Sequence, residues 1–203
     1  QKECWKGFYL SILYSKNQIR DFDMHYSLYK PEQQNEVIAL FKKTFTDSEN
    51  ENEGNLTAKV VTDFLTLPAN KDDLFIFIAQ DDSNRIVGCS VFSRLTFPKG
   101  ENVFILSPVA VATNCHGKGI GQALINFGLE TLKKAGVSVV ITYGDINFYS
   151  KTGFAPISEE LIKAPLALSY PEGWIAQSLS GDSIKPIEGK PSCLTPLDSP
   201  DLW

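Results

Sequence analysis

One continuous stretch, residues 103–124 (VFILSPVAVATNCHGKGIGQAL), constrains this chain more than any other. An apolar strand runs into a short polar loop, then into glycines at 117, 119 and 121, then into a helix. Glycine adopts backbone conformations that other residues avoid, and it lets a ligand come close to the main chain. The first turn of the following helix offers N–H groups with no partner inside the helix, at the positive end of its dipole. Together these features make a phosphate cradle. Capping a helix is the plainer use of glycine, but it does not need three at alternate positions. Pro108, inside the strand, has no N–H and cannot complete a ladder. It predicts a bulge or a local parting of strands.

Three phosphate-binding patterns compete for this stretch. A Walker A loop, G-x-x-x-x-G-K-S/T, fails because Gly117-Lys118 is followed by Gly119. A Rossmann turn, G-x-G-x-x-G/A, fails in both frames, ending at Gln122 from Gly117 and at Leu124 from Gly119. The third pattern, Gln/Arg-x-x-Gly-x-Gly/Ala, is the acetyl-CoA pyrophosphate loop of the GNAT superfamily of N-acetyltransferases. His116-Gly117-Lys118-Gly119-Ile120-Gly121 resembles it, with His116 where Gln or Arg is usual. Pro108-Val109-Ala110-Val111 looks like that family's splayed strand. Residues 144–154, GDINFYSKTGF, resemble its F-Y-x-x-x-G-F segment, and the Gly-Asp opening is most like the bacterial branch of YhbS-like acetyltransferases. The resemblance is firm over 101–155 and fainter over 24–100 and 156–180.

The resemblance implies an α/β chain with the GNAT (acyl-CoA N-acyltransferase) fold. That fold is a mixed, mostly antiparallel central sheet with a splayed parallel strand pair, flanked by helices. It implies acetyl-CoA as co-substrate, no metal, and transfer of the acetyl group to a primary amine by direct attack in a ternary complex. Val109, Ala110 and Val111 are then the positions that pair with the pantetheine arm, and backbone N–H groups near them polarise the thioester carbonyl. His116, Gly117, Lys118, Gly119, Ile120, Gly121 and Gln122 hold the pyrophosphate. Asn147 is carried over as a cofactor contact, and Tyr149 as the acid that protonates the departing thiolate.

Each of these residues also has a plainer use. Lys118 either neutralises a phosphate or is simply solvated. His116 orients the loop or touches the ligand. Asn147 suits a helix cap better than a contact, and Asp145 suits turn chemistry better than base chemistry. Tyr149 reads as core packing until the resemblance is considered. An ammonium acceptor must lose a proton before it attacks, so a base or water relay is required. Glu101, Ser107 and Glu53 are candidates, each more readily structural than catalytic.

The remainder of the chain sets the frame. Its length suits one domain, and a net charge of −5 without a basic stripe argues against nucleic acid. No apolar run reaches the ~20 residues of a membrane span. The four cysteines fit no zinc or redox spacing, so a reducing cytoplasm is expected. Two histidines make a histidine metal site improbable. The expected partner is a small-molecule or peptide amine, with no nucleic acid and no membrane; a homodimer is left open. The pattern divides into an N-terminal extension over 1–23, with an apolar run at 7–14, a GNAT domain over 24–180, and an irregular tail over 181–203.

Within the domain, strands are expected at 25–30, 74–79, 86–95, 102–112, 137–143, 154–157 and 174–179. Helices are expected at 31–46, 56–67, 117–135 and 147–152. The acidic stretch 46–55 reads as a loop, either a solvated linker or a mobile lip over the acceptor site. A second reading of the whole is an acyl-CoA-binding GNAT-like module with a regulatory role. Its sign would be an acceptor side closed by 46–55 or by the tail.

Overall fold

The computed structural model describes residues 24–203; the extension expected over 1–23 lies outside them. Seven strands form one sheet: β1 (His25–Leu28), β2 (Leu74–Gln80), β3 (Ile86–Thr96), β4 (Asn102–Val111), β5 (Val139–Tyr143), β6 (Ala155–Pro156) and β7 (Trp174–Ser178). Their order is β1-β2-β3-β4-β5-β7-β6. Every neighbouring pair is antiparallel except β4 with β5. That parallel pair needs a crossover, which α3 (Ile120–Lys134) supplies.

Two helices cover the other face of the sheet. In α1 (Gln34–Ser48), Val37, Leu40, Phe41, Thr44 and Phe45 are buried, the spacing of one helical stripe. In α2 (Glu51–Thr66) the buried stripe is Gly54, Thr57, Val60, Val61 and Phe64. The helices cross closely at Gly54, where an added Cβ would lie 2.6 Å from the Lys42 carbonyl oxygen. The acidic stretch 46–55 is therefore not a loop. Its first residues complete α1, and Asn50 caps α2 by accepting a hydrogen bond from the Glu53 N–H. Glu51 and Glu53 fall in the first turn of α2, where negative charge complements the helix dipole. Acidity here marks a helix start.

The core has two halves, one on each face of the sheet. Ile105, Tyr143, Trp174 and Trp203 lie with α1 and α2. Phe104, Leu106, Val109, Val111 and Ile175 lie with α3. Gly128 lets α3 sit directly on β3, since a Cβ there would be 2.5 Å from the Phe92 ring. Residues 181–203 are not an appendage. A bridge joins Ser192 to Thr96 of β3, and Leu197, Leu202 and Trp203 are 4, 7 and 2 % exposed. Regular structure is sparse there, two short 3-10 turns at Thr195–Leu197 and Pro200–Leu202, but burial is as deep as in the strands.

Candidate active site at the parting of β4 and β5

The parallel pair is joined over only part of its length. Val103–Leu106 pair with Val139–Thr142, and β4 then continues to Val111 with no strand partner on that side among the described residues. On its other edge β4 stays on β3, where the register slips: Leu106 faces Phe92 but Val109 faces Ser90. Ser107 and Pro108 thus oppose a single residue, Val91. This is the bulge that Pro108 implied; the Ser107–Pro108 peptide is cis.

The bulge decides which backbone groups face the opening. The Ala112 N–H bonds the Val87 carbonyl on β3, so by antiparallel alternation Ala110 pairs with Cys89. Val109 and Val111 then turn their backbone groups to the parted side. The Val111 carbonyl is already engaged, accepting from His116 Nε2 at 2.6 Å and from Thr44 Oγ1 at 3.4 Å. A carbonyl only accepts, so His116 carries its proton on Nε2. Of the three positions expected to meet pantetheine, two present backbone to the opening, and Ala110 is committed to β3.

The glycine loop follows. Gly117 and Gly119 have φ of 75° and 77°, so both need glycine's freedom. The helix does not begin at 117 but at Ile120, with Gly119 as its N-cap. The first intrahelical bond runs from Ala123 N–H to the Gly119 carbonyl, leaving the N–H groups of Ile120, Gly121 and Gln122 ahead of the first rung. A Cβ on Gly119 would meet nothing within 4 Å among the described residues, so the loop is open on that side. Gly121 is needed for a different reason, since its Cβ would press on Val111 Cγ2 at 3.3 Å and on the Phe148 ring at 3.4 Å. Lys118 Nζ reaches back to the Asn114 carbonyl at 3.0 Å.

Tyr149 ends the short helix α4 (Ile146–Tyr149). Its ring lies across Gly144, where a Cβ would be 2.5 Å from Cε2. Its hydroxyl lies beside the Thr142 side chain, whose own hydroxyl donates to the Leu106 carbonyl at 2.8 Å. Leu106 and Thr142 are the last β4–β5 pair, so the phenol stands where the strands part, on the α3 face. Part of the ring reaches the surface, but the hydroxyl end is enclosed, and burial pushes its pKa up to about 12. The cap of α4 is Asp145, not Asn147: its carboxylate accepts from both the N–H and the side-chain amide of Asn147 at 2.9 Å. Asn147 itself is exposed.

Ser107 and Tyr143 are the residues just past the last pair, and they face the other way. With Val60 of α2, Leu202 and Trp203 they line a small cavity on the α1–α2 face. Glu101 does not join them. It precedes β4 at the opposite end from the bulge, about 20 Å away at ~3.3 Å per residue. One of its carboxylate oxygens is enclosed with no hydrogen-bond partner among the described residues. Thr142 and Thr44 position the site and were not singled out from the sequence; Gly144 was read there only as part of the Gly-Asp opening of residues 144–154.

Residues 34–154 match the family model described as Acetyltransferase (GNAT) family. YjhQ of Escherichia coli K12, an uncharacterized N-acetyltransferase, is 28% identical over 151 residues, covering 71% of this chain and 79% of that protein. YhbS of the same strain, likewise an uncharacterized N-acetyltransferase, is 30% identical over 122 residues, 58% of this chain and 65% of its own length. Among solved structures, E. coli YhbS in complex with CoA superposes with a TM-score of 0.74 at 20% identity, covering 91% of this chain and 97% of that one. A GNAT family acetyltransferase from Brucella melitensis in complex with acetyl-CoA gives 0.65 at 20% identity, covering 87% and 99%. With the glycine cradle and the parted parallel strands on one fold, the chain belongs to the GNAT family of acetyl-CoA-dependent acetyltransferases.

Proposed function

We propose that this protein transfers the acetyl group of acetyl-CoA to a primary amine, on a small molecule or a peptide, by direct attack while both are bound. The observation that carries the reading is the placement of Tyr149. Its buried hydroxyl lies beside Thr142 of the last β4–β5 pair, on the same face as the glycine loop. Gly117, Gly119 and the first-turn N–H groups of α3 receive the pyrophosphate. Val109 and Val111 pair with the pantetheine arm at the open edge of β4. His116 acts indirectly, holding the Val111 carbonyl and so the shape of the loop.

The amine nitrogen attacks the thioester carbon from the α1–α2 face. The carbon–nitrogen bond forms and the carbon–sulfur bond breaks. The amine's proton leaves by way of Ser107, through a water in the adjoining cavity. The thiolate takes a proton from Tyr149, which at a pKa of about 12 remains protonated at neutral pH and acts as a donor. The same reading sets the protein in the cytoplasm, supported by free thiols at Cys89, Cys115 and Cys193.

A second reading, a regulatory acyl-CoA-binding module, is favoured by one observation: residues 195–203 lie against the acceptor side. Steady-state assays over an amine panel separate the two. Amine-dependent release of CoA thiol with intersecting initial-velocity lines is expected. Tight acetyl-CoA binding with no amine-dependent release would leave only the regulatory module.

A further inference from the structure

The segment from Thr195–Leu197 through Trp203 lies on the opposite face of the sheet from the glycine loop, with its side chains at the parting of the strands. Ser107 and Tyr143 flank that parting on the acceptor face, and Leu202 and Trp203 close over them. The space left between is about 10 Å³, room for about one water. An amine carrying an aromatic ring does not fit beside these two side chains as they stand.

The way the segment is attached tells how it can leave. Its own backbone bonds are local: Leu197 to Leu194, Asp198 to Thr195, Leu202 to Ser199 and Trp203 to Pro200. Trp203 Nε1 donates to the Leu197 carbonyl at 2.8 Å, again within the segment. Outside it, the Ser169 hydroxyl donates to the Trp203 carbonyl, and the indole stacks on Tyr143 and meets Trp174 edge-on. Upstream, Ser192 is fixed to Thr96 by two backbone bonds, 2.9 and 3.0 Å. The chain beyond Ser192 can therefore lift as a unit without breaking a rung of the sheet.

We propose that Leu202 and Trp203 form a displaceable plug in the acceptor compartment, and that amines carrying a flat aromatic group are admitted by replacing the indole against Tyr143 and Trp174. This inference rests on the acetyltransferase reading. Once Trp203 lifts, Tyr143 and Trp174 present their aromatic faces beside Val60, Ile105 and Ser107, and aromatic faces select aromatic rings.

The test is a comparison of methylamine, tryptamine and spermidine as acceptors, in the full chain and in Leu202→Ala/Trp203→Ala. Tryptamine kcat/KM should rise at least ~10-fold in the variant, with methylamine changed by less than about twofold and acetyl-CoA affinity retained. Retained acetyl-CoA binding without a selective gain for tryptamine overturns the plug. Failure of the unmodified protein to bind acetyl-CoA in calorimetry sinks the acetyltransferase reading instead. Should the double variant not fold, hydrogen exchange on the unmodified chain decides. The Leu202 and Trp203 amides should exchange at least ~10²-fold faster than that of Ile105 by local opening; equal protection overturns the plug.

Discussion

The two sides of the parted strands are built by different means. On the α3 side, apart from the Tyr149 phenol, the site is built of backbone: glycines with positive φ, first-turn N–H groups and the edge of β4 beyond its last pair with β5. On the α1–α2 side it consists of side chains from segments far apart in sequence: Val60, Ser107, Tyr143 and Trp203. On the proposed reading, the difference follows from what each side holds. A pyrophosphate and a pantetheine arm ask for N–H and C=O groups at fixed places, which any chain can supply once its backbone is shaped. An acceptor is recognised by its particular carbon framework, which only side chains can match. The backbone-built side is the one that leaves a motif behind.

The comparison can be broken most sharply at Tyr149. Tyr149→Phe keeps the ring over Gly144 and removes only the hydroxyl. We expect kcat to fall by roughly 10²-fold with acetyl-CoA affinity nearly unchanged. An unaffected kcat with a good acceptor would make Tyr149 a packing residue. Next in size is Gly119→Val. It places a β-branched residue at φ 77° and fills the open space before the helix. Calorimetric affinity for acetyl-CoA should drop at least ~10-fold, about 1.4 kcal/mol; a folded variant that binds normally would show that the cradle is not where the cofactor sits.

A smaller effect tests whether the phenol is enclosed. The hydroxyl ionises near the ordinary tyrosine value of about 10 when unfolded and near 12 when folded. Between these values the unfolded chain gives up its proton first. The stability contributed by the protonated hydroxyl is complete below pH 10 and is lost as pH rises toward 12. Thermal unfolding of the wild type should therefore steepen above pH 10 relative to Tyr149→Phe. Parallel curves would mean that the hydroxyl is solvated. The smallest effect concerns residues 1–23. A chain beginning at Met24 should bind acetyl-CoA within about twofold of the full length, because the cradle, the free edge of β4 and Tyr149 are all assembled from residues 106–149. Loss of binding would tie the preceding segment to the site.

Much of the cofactor side was legible from residues alone. Gly117 and Gly119 take the positive φ that glycine allows, and Pro108 sits in a bulge, each from a local cause; Gly121 is fixed instead by packing against Val111 and Phe148. Long-range contacts were not legible. Glu101 stood near the organising strand in sequence, but a strand extends by several ångströms per residue and carried it to the wrong end. The acidic run over 46–55 hid a helix break of two residues, because carboxylates near a helix N-terminus stabilise what elsewhere would be a solvated loop. Residues 195–203 lack periodicity, so nothing in their pattern announces that Leu197, Leu202 and Trp203 are buried. Their ordering comes from a surface made by β4, β5 and α2, which exists only once the rest has folded.

The paired residues Ser107 and Pro108 opposite Val91 have a consequence best put in terms of counting. A strand keeps two parities: which face each side chain takes, and which edge each peptide group addresses. One extra residue inverts both at once. Ile105 lies on the α1–α2 face, and unbroken alternation would put Val109 there too, with its amide turned to β3. Instead Val109 and Val111 lie on the α3 face, and their peptide groups address the open edge. The segment is thus tolerant of substitution and intolerant of length. Exchanging either residue of the pair alters a side chain. Removing one restores the simple alternation, and every residue from 109 to 111 then presents the wrong face and the wrong edge together.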